Sequence, residues 1–327
     1  MFFYPRESIQ SLASVPGADL LTRPPLCPVT GQPARRLVQW VPARLLADLW
    51  RLIYKTDAGS SFGRIKQFGL WESPTGLYFF DPPCEGDETF YRVFQDRLRS
   101  LSLFGFDDER AEFAVAGQRI PKGAHVLDVG CGLASFRHCL PHAHYTGLDP
   151  NLGIDIPGVD LRKETLAGHL TRSGGYDAVC AFQVLEHLID PRGFFHLLSE
   201  AAQPGGLVII GVPHVPSAMT KIPNFVLNAP PHHLTWWTDR ALTALAEGEG
   251  LVVEIIEEMP WSQPDAPIYW AEKCTWIKAH KEHFLPDWRW HIAMLASLIG
   301  GYVLNKFRKP PSHEKGAGLL LIARKPI

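Results

Sequence analysis

Paired cysteines, a surplus of one charge, a basic leader and a long apolar run are all missing from this sequence, and each absence excludes something. The six cysteines, Cys27, Cys84, Cys131, Cys139, Cys180 and Cys274, contain no CxxC pair. That argues against a disulfide framework and for a reducing compartment. Lys plus Arg numbers 32 against 34 for Asp plus Glu, a net charge of −2, so no global basic field recommends a nucleic acid as partner. The start, MFFYPRESIQ, lacks the basic region and apolar core of a secretory leader. The longest apolar run, Ile292 to Leu304, is shorter than the roughly 20 residues that span a bilayer, and a buried helix is expected there. Trp288, Trp290, Lys306, Arg308 and Lys309 flank it, which keeps peripheral membrane contact or dimerisation through about 288–309 open. The expected location is cytoplasmic, at most peripheral at a membrane.

Proline, by contrast, is abundant: 28 of 327 residues, against an average of about 5%. Seven fall in residues 1–42, where no apolar period is sustained before about Arg35, so an irregular arm is expected. From Pro42, Leu45, Leu46, Leu49, Trp50 and Ile53 recur at helical spacing. KQFGLWES and GLYFFDPP flank Pro74-Thr75-Gly76 as a hairpin. Residues 87–118 read as two helices broken near Gly105, with Asp107 as a cap for the second. These features make residues 1–118 an arm and cap region. Residues 119–327 form a second unit, with an insertion at about 260–316.

Beyond residue 120, short apolar runs alternate with helical patterns, which means a parallel sheet covered on both faces. Strands are expected at His125–Val129, Tyr145–Leu148, Tyr176–Ala181, Leu207–Val212, 251–256 and 318–323. Helices are expected at Leu133–Leu140, 164–172, 191–203 and 238–249, with a turn at Pro204-Gly205-Gly206. The strongest local signal is VLDVGCGLASF at 126–136. Gly130 and Gly132 permit a tight turn and a close backbone approach after Asp128, and the third glycine position is Ala134. Seventeen residues after Gly132, the run ending in GLD places Asp149 at a strand's carboxyl end, where an acid accepts both hydrogen bonds of a ribose diol. A dinucleotide pyrophosphate would sit badly beside Asp128, whereas a cofactor with a cationic amino-acid tail suits it.

With VLDVGCG, GLDP, YDAVCAFQVLEHLIDP at 176–191 and PGG before LVIIGVPH, the chain resembles class I S-adenosylmethionine-dependent methyltransferases of the small-molecule, QVLEHL-type subgroup. The resemblance implies a Rossmann-like α/β fold with a seven-stranded sheet, mostly parallel with the last strand antiparallel, and an N-terminal α+β cap. It implies S-adenosyl-L-methionine as cofactor, held by Asp128, Gly130, Cys131, Gly132, Asp149 and Pro150, with Phe182 and Gln183 beside its methionine portion and adenine near Leu161 to Glu164. The N-terminal stretch resembles a zinc-ribbon-type cap, with CPVTG at 27–31 in place of CPxCG. Thr30 replaces the second thiolate and Cys84 has no nearby partner, so no structural zinc site is expected.

A hydroxyl, phenol or acidic-carbon acceptor benefits from a base near working pH, for which histidine is the natural choice. His187 follows the fourth strand of the sheet. His214 and NAPPHHLTWWT at 228–238 follow the fifth, with His232 or His233 as base. His138, Cys139, His142 and His144 straddle a helix end and should diverge. Adjacent His232 and His233 are poor joint chelators without a carboxylate whose position the sequence does not fix, so no metal is assigned, and a metal-dependent O-methyltransferase stands as a minor alternative. The reading is a methyltransferase acting on a small molecule, on an oxygen of a sugar, phenol or lipid-linked compound. Its rival is a cofactor-binding scaffold or regulator without turnover.

Overall fold

A computed structural model describes residues 23–101, 110–262, 265–311 and 313–327. The first part of the proline-rich arm, the helix break near Gly105 and the Asp107 cap lie outside the described residues. The cap begins with β1 (Arg36–Pro42), α1 (Ala43–Tyr54) and the single turn α2 (Gly59–Phe62). It continues with the hairpin strands β2 (Gln67–Glu72) and β3 (Tyr78–Asp81), then α3 (Glu88–Leu101). Leu45, Leu46, Leu49 and Trp50 put one face of α1 into the cap's core. Trp50 is fully buried, with its ring edge-on to Phe90 and Phe94 of α3.

Helix α4 (Ala111–Arg119) precedes the large sheet and packs against it through Phe113 and Ala116. It thus lies on the sheet's side of the fold although it falls before residue 119. The sheet follows as β4 (His125–Val129), β5 (His144–Leu148), β6 (Asp160–Arg162), α5 (Leu166–Leu170) and β7 (Tyr176–Phe182). Then come α6 (Pro191–Ala201), β8 (Ala202–Pro213) and the single turn α7 (Ala218–Lys221). The last part comprises β9 (Thr235–Trp236), α8 (Asp239–Gly248), β10 (Val252–Pro260), α9 (Ala266–Cys274), α10 (Trp288–Asn305) and β11 (Lys315–Arg324). The seven-stranded order is β10-β11-β8-β7-β4-β5-β6. Its strands are parallel from β8 to β6, while β11 runs antiparallel to both neighbours. The consecutive apolar residues of β4, β7 and β8 are buried as strands covered on both faces require. Helix α6 starts as its sequence demands, with Asp190 accepting from the Gly193 amide and Pro191 in the first turn.

Two expectations are corrected. No α-helix occupies Leu133–Leu140: only a 3₁₀ stretch over Ser135–Cys139 forms, because Gly132 and Ala134 both take left-handed backbone (φ 52° and 57°) and Pro141 closes the segment. The Pro204-Gly205-Gly206 turn lies inside β8, whose pairing jumps from Tyr176↔Ala202 to Ala178↔Leu207. The second, antiparallel sheet has the order β1-β2-β3-β9, so a strand from the far side of β8 completes the cap's hairpin. Cys27 and Cys84 are buried in different core clusters.

Among the described residues of the 261–314 connection, α9 and α10 are the two helices. Gly301 of α10 lies against α9 so closely that a Cβ there would be 2.5 Å from the Pro267 carbonyl oxygen and 2.6 Å from the Ala271 nitrogen. The opposite face of α10 leaves Ile292, Ile299 and Val303 exposed, near Arg289 and Lys306. Among the described residues no helix is long and apolar enough to cross a membrane. Replacing Gly301 with Val should cost about 1–3 kcal/mol through overpacking. Thermal unfolding followed by circular dichroism checks this, and an unchanged midpoint would show that α10 does not depend on this close approach.

Candidate active site

The glycine turn follows β4. Its Gly130 and Cys131 amides both donate to the Leu148 carbonyl, at 2.7 and 3.0 Å, which ties the turn to the end of β5. Gly130 has φ 77°, and a Cβ on it would meet Val184 Cγ2 at 2.6 Å, so neither the backbone nor the space admits a side chain. Asp149 closes the turn from the other side: its carboxylate accepts from the Gly132 amide at 3.1 Å and from the Asn151 amide at 2.7 Å. It remains partly exposed, with lone pairs to spare, and Pro150 beside it is exposed. Asp128 is buried and accepts from the Tyr145 hydroxyl at 2.7 Å. Burial pushes its carboxyl up to about 7, against the Tyr145 hydrogen bond, with the neighbouring Asp149 charge adding to the rise. The Cys131 thiol is pushed up to about 12 by burial and by Asp128, so it stays a thiol at neutral pH.

Past β7 the chain turns sharply. Gln183 takes a left-handed backbone (φ 57°), donates its amide to the Gly211 carbonyl at 2.7 Å and points its side chain at Glu112, 3.2 Å away. Phe182 instead packs with Phe113 and Phe136 in the core, at centroid distances of 4.9 and 4.8 Å. At the far end of the sheet Glu164 is engaged by His169 and Arg172.

A cavity of about 290 Å³ begins where Gln183 ends. Gln183, Glu186, His187, His232 and His233 line it together with Arg110 and Glu112. Phe94 and Leu98 of the cap and Ile268 of α9 supply apolar wall. His232 and His233 stack at 4.6 Å, and the His187 ring lies 4.5 and 5.0 Å from them. His187 Nδ1 donates to the His232 carbonyl (2.6 Å) and His233 Nδ1 to Asn228 Oδ1 (3.1 Å). Burial drives His187 down to about 4, and His232 and His233 well below the usual imidazole range. All three rings are therefore neutral at pH 7 and weak as bases, unlike the histidine base near working pH that the sequence leads one to expect. Burial pushes Glu186 the other way, up to about 8. Glu112 is also raised by burial, with Arg110 opposing.

His214 does not join this group. It faces a separate cavity of about 440 Å³ with Tyr78, Thr238, Asp239 and Glu258, which shares none of its lining with the glycine turn or with the His187, His232 and His233 cluster. Sequence reasoning missed Glu112, Glu186 and Asp265 as members of the pocket, and Asn228 as the partner that anchors His233. The only available signal was an acid within an otherwise core-facing segment, at Glu112 beside Phe113 and at Glu186 beside Leu185.

Residues 103–255 match the family model described as a methyltransferase domain. That match marks a methyltransferase domain in this chain. Its cofactor is S-adenosylmethionine, and the buried Asp128, which lacks a cation, and the Gly130 turn, which rejects a side chain, fit the amino-acid tail of that molecule. Among curated proteins, the ubiquinone biosynthesis O-methyltransferase of Erwinia tasmaniensis is 34% identical over 102 residues, covering 26% of this chain and 41% of that protein. The one from Escherichia coli O9:H4 is 28% identical over 160 residues, covering 38% and 63%. The chain spans about two fifths of the length of the first curated relatives it matches. Among solved structures, a methyltransferase from Archaeoglobus fulgidus aligns over 72% of this chain and 100% of its own, at 17% identity and a TM-score of 0.43.

An aspartate raised above its unfolded value weighs against the fold increasingly as pH rises from about 4 to about 7. A ligand ammonium beside Asp128 relieves that cost, so its affinity rises through the same window. With a carboxyl near 7, the ionised fraction grows roughly eightfold between pH 6 and 7.5. Calorimetry of S-adenosylhomocysteine binding at the two pH values should show that gain, and Asp128→Asn should flatten it. An equal gain in the variant would assign the pH dependence elsewhere.

Proposed function

We propose that this protein transfers the methyl group of S-adenosylmethionine to a small-molecule acceptor, at an oxygen of a sugar, phenol or lipid-linked compound. The observation that carries the reading is the segment Phe182–His187. Its Val184 packs on Gly130 of the cofactor turn, while Gln183, Glu186 and His187 line the cavity. Cofactor turn and cavity therefore share one short stretch of backbone. The curated relatives named O-methyltransferases support oxygen as the target atom.

When bound, the cofactor supplies a methyl group on a sulfonium, an electrophile that needs alignment more than covalent help. Asp128 and the Gly130–Gly132 turn, which includes the neutral Cys131, would hold the amino-acid tail. Asp149 holds the ribose, with Pro150 fixing the chain after it. Phe182 backs Gln183 from the core. On the acceptor side, neutral His187, His232 and His233 accept hydrogen bonds from a hydroxyl and orient its oxygen. Residues 1–118 act as arm and cap, and 119–327 as the catalytic unit. From the 260–316 insertion, α9 walls the cavity, while the exposed face of α10 serves peripheral membrane contact or pairing of two chains.

Asp149→Ala should weaken S-adenosylhomocysteine binding about 10- to 100-fold, the worth of charge-assisted hydrogen bonds. Transfer of a labelled methyl group to a panel of phenols, sugars and quinol precursors should fall with it. Tight binding without transfer to any member of the panel would favour a scaffold or regulator over an enzyme.

A further inference from the structure

The cavity brings together four groups able to ligate a metal ion: three imidazoles and the Glu186 carboxylate. The ligating atoms of His187, His232 and His233 all lie within 4.8 Å of one another. The outward hydrogen bonds of two rings settle their tautomers. His187 and His233 both donate Nδ1–H to oxygens, which leaves each Nε2 with a free lone pair. Metal-bound histidines are held in this way, with one ring nitrogen anchored on a carbonyl or carboxylate and the other on the ion. His232 Nδ1 is buried without a hydrogen-bond partner. Glu186 is 1% exposed, and no other described residue donates a hydrogen bond to either of its carboxylate oxygens. Its Oε1 stands 3.7 Å from His187 Nε2. The Arg110 guanidinium of the same cavity acts on this carboxylate but makes no hydrogen bond to it, and a buried carboxylate beside a histidine ring with no hydrogen-bond donor is an incomplete arrangement.

We infer that His187, His232 and His233 bind one divalent first-row transition metal ion, with Glu186 supplying the negative charge beside it. Imidazole nitrogen with one carboxylate suits zinc, iron, cobalt or nickel better than magnesium or calcium, which take oxygen ligands. Nitrogens on a tetrahedral ion stand about 3.3 Å apart, so small turns of the three rings close the set. His232 and His233 are adjacent in sequence, and joint chelation by them is possible because His187 arrives from the end of β7 and Glu186 comes with it. His187 and His232 are only partly buried, so the ion keeps a position open to the cavity. This last point rests on the proposed methyl transfer: the open position would hold an oxygen of the acceptor and acidify its hydroxyl.

The test is titration of metal-stripped, full-length protein with Co²⁺ and Zn²⁺. The expected result is one equivalent per chain, the visible ligand-field bands of nitrogen-coordinated Co²⁺, and displacement of those bands by Zn²⁺. His187→Gln and His233→Gln should each weaken binding at least tenfold, with circular dichroism confirming that the chains are folded. Asp149→Ala, which weakens the cofactor, should leave metal binding unchanged. Absence of stoichiometric binding by the folded wild-type chain overturns the inference, as does binding that both histidine variants retain. S-adenosylhomocysteine calorimetry on the stripped protein separates the two claims. Cofactor binding without metal binding removes only the ion, and metal binding without cofactor binding removes only the methyltransferase reading.

Discussion

The structure depends on how segment 228–236 is held between cap and sheet. On the sheet side, the Leu234 amide donates to the Glu186 carbonyl at 2.7 Å, and His187 donates to the His232 carbonyl. On the cap side, the Phe80 amide reaches the Leu234 carbonyl, and Trp50 and Tyr91 reach the carbonyls of Pro230 and Pro231. Every carbonyl in this stretch that finds a donor satisfies a buried backbone group that would otherwise be costly. The prolines lower the number of amides needing partners and stiffen the path. The clamp sets the positions of His232 and His233, joins β9 to the hairpin and seats the cap over the cavity.

Holding the loop this way concentrates polarity where the fold can least hydrate it. Glu112, Glu186 and three imidazoles surround one cavity walled by Phe94, Leu98 and Ile268. Desolvation keeps the rings neutral and lifts the carboxyls, so the group coexists without mutual charge repulsion. An interior selected for stability alone would fill such a site with apolar side chains. The polar cluster is the feature on which the proposed acceptor and cation sites both rest.

Much of the sheet was legible in sequence, because parallel strands buried on both faces leave uninterrupted apolar runs, as in Val126–Val129 and Val208–Val212. The glycine turn and Asp149 were legible because few residues tolerate their backbone and spacing. The helix after the turn was misread: Ala134 holds a left-handed conformation that glycine adopts freely, and nothing local in the sequence announces it. The pocket was only half legible. Its acid, glutamine and histidine members around the cluster come from Glu112, from Gln183, Glu186 and His187, and from His232 and His233, and their convergence depends on β7 and the clamped loop meeting. His214 is close to His233 in sequence, yet it leaves β8 toward the opposite cavity.

The central claim is that one turn after β7 places cofactor and acceptor cavity side by side. A crystal structure of the protein with S-adenosylhomocysteine tests it most directly. The amino-acid tail is predicted to lie against Asp128 and Gly130, the ribose on Asp149, and the sulfur to open toward the cavity beyond Gln183. A ligand bound elsewhere, or a sulfur walled off from the cavity lined by Glu186 and His233, would contradict it.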